Sequence, residues 1–471
     1  RFLAFLTVFF RAGYLPFDWR LAFITSIFKG CDSTRACNYR PISLTSTICK
    51  VMEIIIKDEI VNFLLRKKII SKRQHAVIHK HSTSTNLLEC VHDWNLILRS
   101  KKSIDTIYVD FTRAFDSVVH SKLLAKIASM GIGGALLTWI RSFLSERKQC
   151  VVVDYCYSSW VEVISGVPQG SVLGPILFLI FIHDVAEILD NQTSCSLFAD
   201  DLTIYSAVDV NTGHFSLQNS LDRLVQWCCK WQMAINVGKT FVLHFGKSNP
   251  CYDYRLNGIA IRSVFDARDL GVIIDSELLF DKHVDSVVKK AYMRIGILFR
   301  SFVTRDVRTL RQAYVTFIRP ILEYASTVWS PYKVKHITAI ERIQRHFTRR
   351  IPSLHELSYG ERLAVIDLDT LELRRLRADL LMYYKILNGL SPLTANEYFT
   401  VTVNDRVTRS SDKLLLSKPS ISTNVLENDF FVRRINCWNE LPDSVKRASS
   451  INVFKSLVSR IDLSRYLIVE M

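Results

Sequence analysis

Two spacings of apolar residues run through this chain. Leu217, Leu221, Leu224, Val225, Cys228 and Trp231 recur every three or four positions, which predicts a helix with one buried stripe. Val118, Leu123, Leu124, Ile127 and Met130 predict another, stopped by Gly131. Residues 48–65 read as a longer helix, and residues 176–182 as a wholly apolar segment behind a turn. Between these lie short runs of strand length at residues 104–109, 195–199 and 202–205. Residues 150–155 and 160–164 read as a hairpin, and Asn257-Gly258 marks a second, tight one. Helices mixed with hairpin-linked strands give an α+β fold. No segment repeats and no low-complexity tract interrupts the pattern.

The chemistry sits where strands stop. Phe198-Ala199-Asp200-Asp201 places two adjacent carboxylates between two strand-like runs, in a tight turn. Read alone, such a pair is equally a solvated turn with no catalytic role. A pair of acids held at a hairpin tip repels unless water or a cation offsets it. The strand at residues 104–109 runs into a third acid, Asp110, beside the carbonyl of Phe111, an arrangement that suits a hard cation. Asp116 reads as the N-terminal cap of the helix that follows. Between these acids, residues 165–175 hold three glycines and two prolines. That segment is either a plain turn before a buried helix or a loop that brings backbone and Gln169 close to a nucleotide.

Taken in order, Val109-Asp110-Phe111-Thr112-Arg113-Ala114-Phe115-Asp116, Gly166-Val167-Pro168-Gln169-Gly170-Ser171 and Phe198-Ala199-Asp200-Asp201 resemble a reverse transcriptase palm. The resemblance is to non-LTR (LINE-type) retrotransposons of the jockey group. Asn38-Tyr39-Arg40-Pro41-Ile42-Ser43-Leu44 is similar to the fingers motif of that family, and Trp231 through Thr240 to the segment after the active site. Leu270-Gly271-Val272-Ile273-Ile274-Asp275 resembles the primer-grip strand. Arg319-Pro320-Ile321-Leu322-Glu323-Tyr324-Ala325 and Cys437-Trp438-Asn439-Glu440-Leu441-Pro442 are also similar to this group, so the resemblance runs over essentially the whole chain.

The resemblance implies a right-hand polymerase: fingers at residues 1–103, a palm with an antiparallel sheet at 104–275, a helical basic thumb at 276–355 and a mainly helical accessory region at 356–471. It implies RNA-directed DNA synthesis, with Asp110, Asp200 and Asp201 holding two magnesium ions, or manganese in their place. Arg40 would touch the triphosphate of the incoming dNTP, with Lys29 as a second cation, and Lys239 would protonate the leaving pyrophosphate. Phe111, Phe115, Gln169 and Gly170 would form the nucleotide pocket, with Phe115 excluding a 2′-hydroxyl. Leu270, Gly271, Arg345, Arg349 and Arg350 would bind primer and template. The implied partners are an RNA template, a DNA primer or nicked target DNA, and an endonuclease domain upstream of this chain, which begins at Arg1 and reads as a fragment. The other reading is a decayed or co-opted relic that binds nucleic acid without copying it.

One motif departs from the family. Where Gln-x-Gly-Phe-x-x-Gly-x-Ser is common, residues 74–82 put Ala76 and Lys80 at both glycine positions. A positive φ at either would strain the loop and disturb template contact. His75, His79 and His81 have no cysteine or carboxylate beside them and read as a basic loop, not a metal site.

Charge supports a polyanionic partner. The net charge is +16, and residues 281–350 alone hold 15 Lys/Arg against 5 Asp/Glu. Arg342, Arg345, Arg349 and Arg350 interleave with Phe347 and Ile351, as expected of a helix that follows a duplex backbone. Eleven cysteines without CxxC pairing predict a reducing compartment, and Cys437 alone beyond Cys251 leaves no zinc knuckle. The apolar start at residues 2–10 is too short to span a bilayer and reads as a packed helix. A nuclear site of action with a cytoplasmic ribonucleoprotein stage, and no membrane or secretory route, is the expectation. Residues 402–423, rich in Ser, Thr and charge, read as a flexible connection.

Overall fold

The computed structural model describes residues 2–30, 32–209, 213–401, 415–420 and 424–469. The chain divides into two compact units, one of residues 1–79, 105–242 and 250–263, the other of residues 80–104, 243–249 and 264–471. The connection expected at 402–423 lies outside the described residues except for 415–420, where Leu416–Ser417 pairs with Thr400–Val401.

Two sheets organise the first unit. One has β1 (Leu21–Phe28) paired antiparallel with β2 (Tyr39–Leu44) and parallel with β4 (Lys148–Val153). β4 turns back through Asp154 and Tyr155, both at positive φ, into β5 (Cys156–Tyr157), and also pairs with β6 (Val161–Glu162). The hairpin expected at 150–164 is therefore present, with an additional turn inside it. β1 comes from the segment 1–103 and β4 from the segment 104–275, and the two are built as one sheet.

The second sheet has the order β12-β9-β3-β8-β7, with β3 (Ser103–Val109) at its centre. β7 (Ser194–Phe198) and β8 (Asp201–Val208) form the expected hairpin, and β9 (Phe241–Phe245) and β12 (Arg262–Val264) complete the sheet. All of β3 is buried, as a central strand with apolar cover requires. Helix α1 (Phe2–Ala12) precedes the strands, followed by α2 (Thr47–Arg66), α3 (His120–Ser129), α4 (Gly174–Ile182) and α5 (Gly213–Trp231). The α5 stripe is as expected: Leu217, Leu221 and Leu224 are fully buried, and the helix covers β8. Every side chain of α4 from Ile176 to Ile182 is buried, so this segment is the central core helix. Asn257-Gly258, with φ of 49° and 78°, joins β10 (Arg255–Leu256) to β11 (Ile259–Ala260) in the two-residue turn that Asn-Gly favours.

The second unit is mainly helical. Its helices include Thr83–Arg99, α6 (Asp281–Ser301), α7 (Val334–Arg349) and α8 (Leu371–Leu387). One hairpin of this unit pairs β13 (Asp266–Asp269) with β14 (Val272–Asp275), and Leu270-Gly271 make the turn. Phe347 is fully buried, 5.4 Å from the ring of Phe299 and 4.7 Å from that of Tyr314. Its interleaving with arginines therefore reflects helical spacing: the aromatic faces the core, and the expectation that it helps contact a duplex is corrected.

Asp379 on α8 is fully buried and accepts from Arg433 Nε (2.9 Å), Arg433 Nη2 (2.7 Å) and Arg434 Nε (3.2 Å). Removing one member of such a group leaves buried charge uncompensated. Asp379→Ala is expected to cost about 3–5 kcal/mol of stability. Denaturant unfolding should show a lower midpoint for the variant, and an unchanged midpoint would show that the two guanidiniums reach water.

Six of the described cysteines are buried (Cys49, Cys90, Cys150, Cys195, Cys228 and Cys437), and none of the ten described is in a disulfide. No helix among the described residues is long and apolar enough to cross a membrane.

Candidate active site

Asp110 follows the last residue of β3. Its backbone is tied to the segment after α5: Asn236 N–H donates to the Asp110 carbonyl (2.7 Å), and Asp110 N–H donates to Thr240 Oγ1 (3.3 Å). Phe111 bridges Ile235, and Thr112 N–H donates to the Ala234 carbonyl (2.8 Å). The residues after β3 are thus held in extended form by residues 234–240, and Asp110 is half-exposed at the sheet's end.

Asp200 and Asp201 sit on the β7–β8 hairpin. Ala199 and Asp200 form its two-residue turn, and Asp201 is the first residue of β8, opposite Phe198. The sequence placed both acids in the turn; the structure places one there and one on the strand. Ala199 has φ +57°, a conformation that suits a hairpin turn but costs a side-chain-bearing residue roughly 1–2 kcal/mol.

The three acids act on one another. Crowding by protein raises the Asp200 carboxyl, and Asp110 raises it further, while Arg40 and Lys29 pull it down. Asp201 is solvent-accessible as a residue, yet its carboxyl is hemmed in by protein. That desolvation, with repulsion from Asp200 and Asp110, pushes it up to about 6, against the opposing pull of Arg40. Lys239 brings its ammonium to 4.0 Å from Asp110 Oδ2 and is largely exposed. Among the described residues no three of His, Cys, Asp and Glu are drawn into a ready-made metal cage. An all-carboxylate donor set in which Asp200 and Asp201 are raised fits a hard divalent cation, which would draw the acids in.

A proton and a cation would compete for Asp201. A carboxyl at about 6 in the folded protein, against 3.8 ordinarily, holds a proton between roughly pH 4 and 6 that the unfolded chain has lost. Stability without metal therefore falls as pH rises through that window, and a bound cation offsets the loss above it. Magnesium should raise the melting temperature clearly at pH 8 and far less at pH 5. An increment that does not change with pH would remove Asp201 from the binding group.

The glycine-rich loop packs against β2. Ser43 N–H donates to the Gln169 carbonyl (2.6 Å), and Gln169 Nε2 donates to Asp116 Oδ1 (2.8 Å). Asp116 was expected to cap α3. The helix instead begins at His120 with Val119 before it, because Asp116 N–H closes a turn onto the Arg113 carbonyl (2.9 Å). The acid falls short of the helix and orients the Gln169 amide. Gly170 has φ +112°, and a Cβ there would lie 2.6 Å from the Ser43 carbonyl oxygen; at Gly166 (φ +86°) it would lie 2.8 Å from the Asp116 backbone. Phe115 is half-buried and stacks on Phe178 at 4.3 Å and 17°, while Phe111 is buried. Arg40 lies exposed on β2, opposite Ile27.

In the second unit, the Leu270 carbonyl accepts from Tyr324 OH (2.8 Å), and a Cβ on Gly271 would lie 3.1 Å from the Tyr324 ring. Arg349 is exposed, Arg345 is half-buried over the Tyr359 ring (4.7 Å), and Arg350 lies over Phe299 (4.2 Å).

Sequence reasoning missed four anchoring residues. Gln74 accepts the Ala199 amide, Asn236 and Thr240 fix Asp110, and the buried carboxylate of Glu53 on α2 accepts from Val172 N–H (2.8 Å) and Leu173 N–H (2.9 Å) at the end of the loop. The only signal for Glu53 is an acid on the buried face of an apolar helix. In the departing fingers motif, Lys80 does take positive φ (+71°), Val77 does too (+61°), and Ala76 does not. His75 is buried, so it is no part of a solvated basic loop.

A strand ending in one carboxylate, a hairpin bearing two more, and a cationic strand with a glycine-hinged loop all belong to the first unit. The family model described as reverse transcriptase (RNA-dependent DNA polymerase) matches residues 32–277. The chain belongs to that family. It is 27% identical over 362 residues to the probable RNA-directed DNA polymerase from transposon BS of Drosophila melanogaster, covering 72% of this chain and 39% of that one. It is 30% identical over 353 residues to the RNA-directed DNA polymerase from mobile element jockey of Drosophila funebris, covering 72% and 38%. The jockey-type resemblance of the motifs is thereby borne out. The chain spans about two fifths of the length of these curated relatives. Among solved structures, it is similar to apo telomerase from Candida tropicalis (TM-score 0.43, 12% identity, 81% of this chain and 65% of that one).

Proposed function

We propose that this chain copies RNA into DNA, with Asp110, Asp200 and Asp201 as the metal-holding group. The carrying observation is that these three carboxylates act on one another electrostatically while Arg40, Lys29 and Lys239 bear on the same acids. Two magnesium ions held there would activate the primer 3′-hydroxyl and stabilise the leaving pyrophosphate. The chain's own share is positioning and charge. Arg40 and Lys29 meet the triphosphate, and Lys239 supplies a proton to pyrophosphate. Gln169, fixed by Asp116, and Gly170 line the pocket with Phe111, and Phe115 lies under the sugar. Leu270 and Gly271 hold the primer terminus, and Arg345, Arg349 and Arg350 meet the duplex backbone. Priming from nicked target DNA, with the nick made by an endonuclease domain outside this chain, and action in the nucleus complete the reading.

Primer extension on an RNA template with magnesium and dNTPs tests it. Extension supports the reading; bound primer–template without extension favours the second one, nucleic-acid binding without synthesis. The observation behind that alternative is the strained backbone at Val77 and Lys80.

Phe115→Ala should admit ribonucleotides. Losing one apolar contact against the 2′ position is worth about 1–3 kcal/mol, so discrimination should fall roughly 10- to 200-fold. The ratio of kcat/KM for dNTP over rNTP measures it, and an unchanged ratio would leave Phe115 as a partner of Phe178 only.

A further inference from the structure

The β7–β8 turn has a loose end that its own hairpin does not tie. Phe198 and Asp201 close the ladder, so the Ala199 N–H lies outside it and needs another acceptor. Gln74 supplies one. Its side-chain oxygen accepts from Ala199 N–H at 3.0 Å and from Ala76 N–H at 3.0 Å, and the residue is 3% exposed. Only the oxygen of an amide can accept two N–H groups, so the side chain's orientation is fixed.

The backbone around Gln74 is pinned too. Leu197 N–H donates to the Arg73 carbonyl (3.0 Å) and His75 N–H to the Leu197 carbonyl (2.9 Å), a parallel bridge along β7. β7 is the outer strand of its sheet, so residues 73–75 cover an otherwise open edge. The motif whose glycines are missing here therefore keeps a function that needs neither of them. Ala76 serves through its N–H alone.

We propose that Gln74 is a positioning residue that locks the Ala199-Asp200 turn and so fixes the direction in which Asp200 faces. The proposal rests on the polymerase reading for its consequence, but its contact can be tested without activity. An amide-resolved hydrogen-exchange measurement on the whole chain should find Ala199 N–H protected. Gln74→Leu, which has no acceptor, should speed that exchange at least tenfold, while Gln74→Glu, which keeps one, should preserve the protection. In single-nucleotide extension, Gln74→Leu should lower kcat by roughly 10- to 100-fold with the KM for dNTP and primer–template affinity unchanged. Exchange at Ala199 as fast in the wild type as in the unfolded chain overturns the proposal. So does a folded Gln74→Leu chain with unchanged exchange and kcat. If Gln74→Leu does not fold, the wild type and Gln74→Glu still decide through Ala199. A chain that never extends a primer but protects Ala199 refutes the polymerase reading and leaves the lock standing.

Discussion

Asp200→Asn should abolish primer extension, by roughly a thousandfold or more, while primer–template binding changes little. The substitution keeps the size of the side chain and the two-residue turn, and removes one charge from a group whose members already repel one another. Two effects follow. The cation loses a charged oxygen ligand, and the remaining acids shed a repulsive neighbour. Asp201, held up partly by Asp200, should move back toward the ordinary carboxylate range. The variant should therefore be at least as stable as the parent without metal, and should gain less from magnesium. Measuring extension rate, primer–template affinity and melting temperature with and without magnesium separates loss of chemistry from loss of fold. Substantial extension by the variant would mean that the acids are assigned wrongly.

Gly170→Ala should be damaging by a different route. At φ +112° no side-chain-bearing residue is comfortable, and the new methyl would sit 2.6 Å from the Ser43 carbonyl oxygen and 3.3 Å from Ile42 Cγ2. Neither backbone can yield without breaking the Ser43–Gln169 hydrogen bond, which is how the loop is joined to β2. The expected cost is about 1–3 kcal/mol of strain, felt where Gln169 and Arg40 must face one nucleotide. The KM for dNTP should rise and kcat fall together, with the loss spread over all four nucleotides. Gly258→Ala is the control: its added methyl meets no neighbour, though φ +78° still strains the backbone, so only stability should change. Equal effects of the two variants on extension would show that the contact with β2 has no catalytic consequence.

Local patterns carried much of the architecture. The α5 stripe, the Asn257-Gly258 turn and the β7–β8 hairpin each depend on residues a few positions apart, and periodicity reports them. Phe347 shows where periodicity misleads: arginines and an aromatic alternate in the sequence, but the helical turn sends Arg342, Arg345 and Arg349 away from the buried face that Phe347 occupies. Asp116 shows a second limit. Its type suits a helix cap, and only the turn at Arg113 shows that the helix starts later. The positions of Asp110 and Asp200 were legible as acids at strand ends. What holds them was not, because Gln74 lies 125 residues from Ala199 and Thr240 lies 130 from Asp110. Nothing in the spacing of either partner encodes such a pairing.

The parallel pairing of β1 with β4 joins Leu21 to Lys148, 127 positions further along the chain. A ribosome adding 5–20 residues per second takes roughly 6–25 s to cover that distance. Through that interval β1 has only β2 beside it. Phe23 and Ile27 stay 42% and 52% exposed even in the finished fold. A newborn chain thus carries an apolar, half-satisfied strand edge for seconds, long enough for another copy on the same message to pair with it. Slower initiation, which spaces the ribosomes, should therefore raise the soluble yield, and an unchanged yield would show that β1 is covered before β4 emerges.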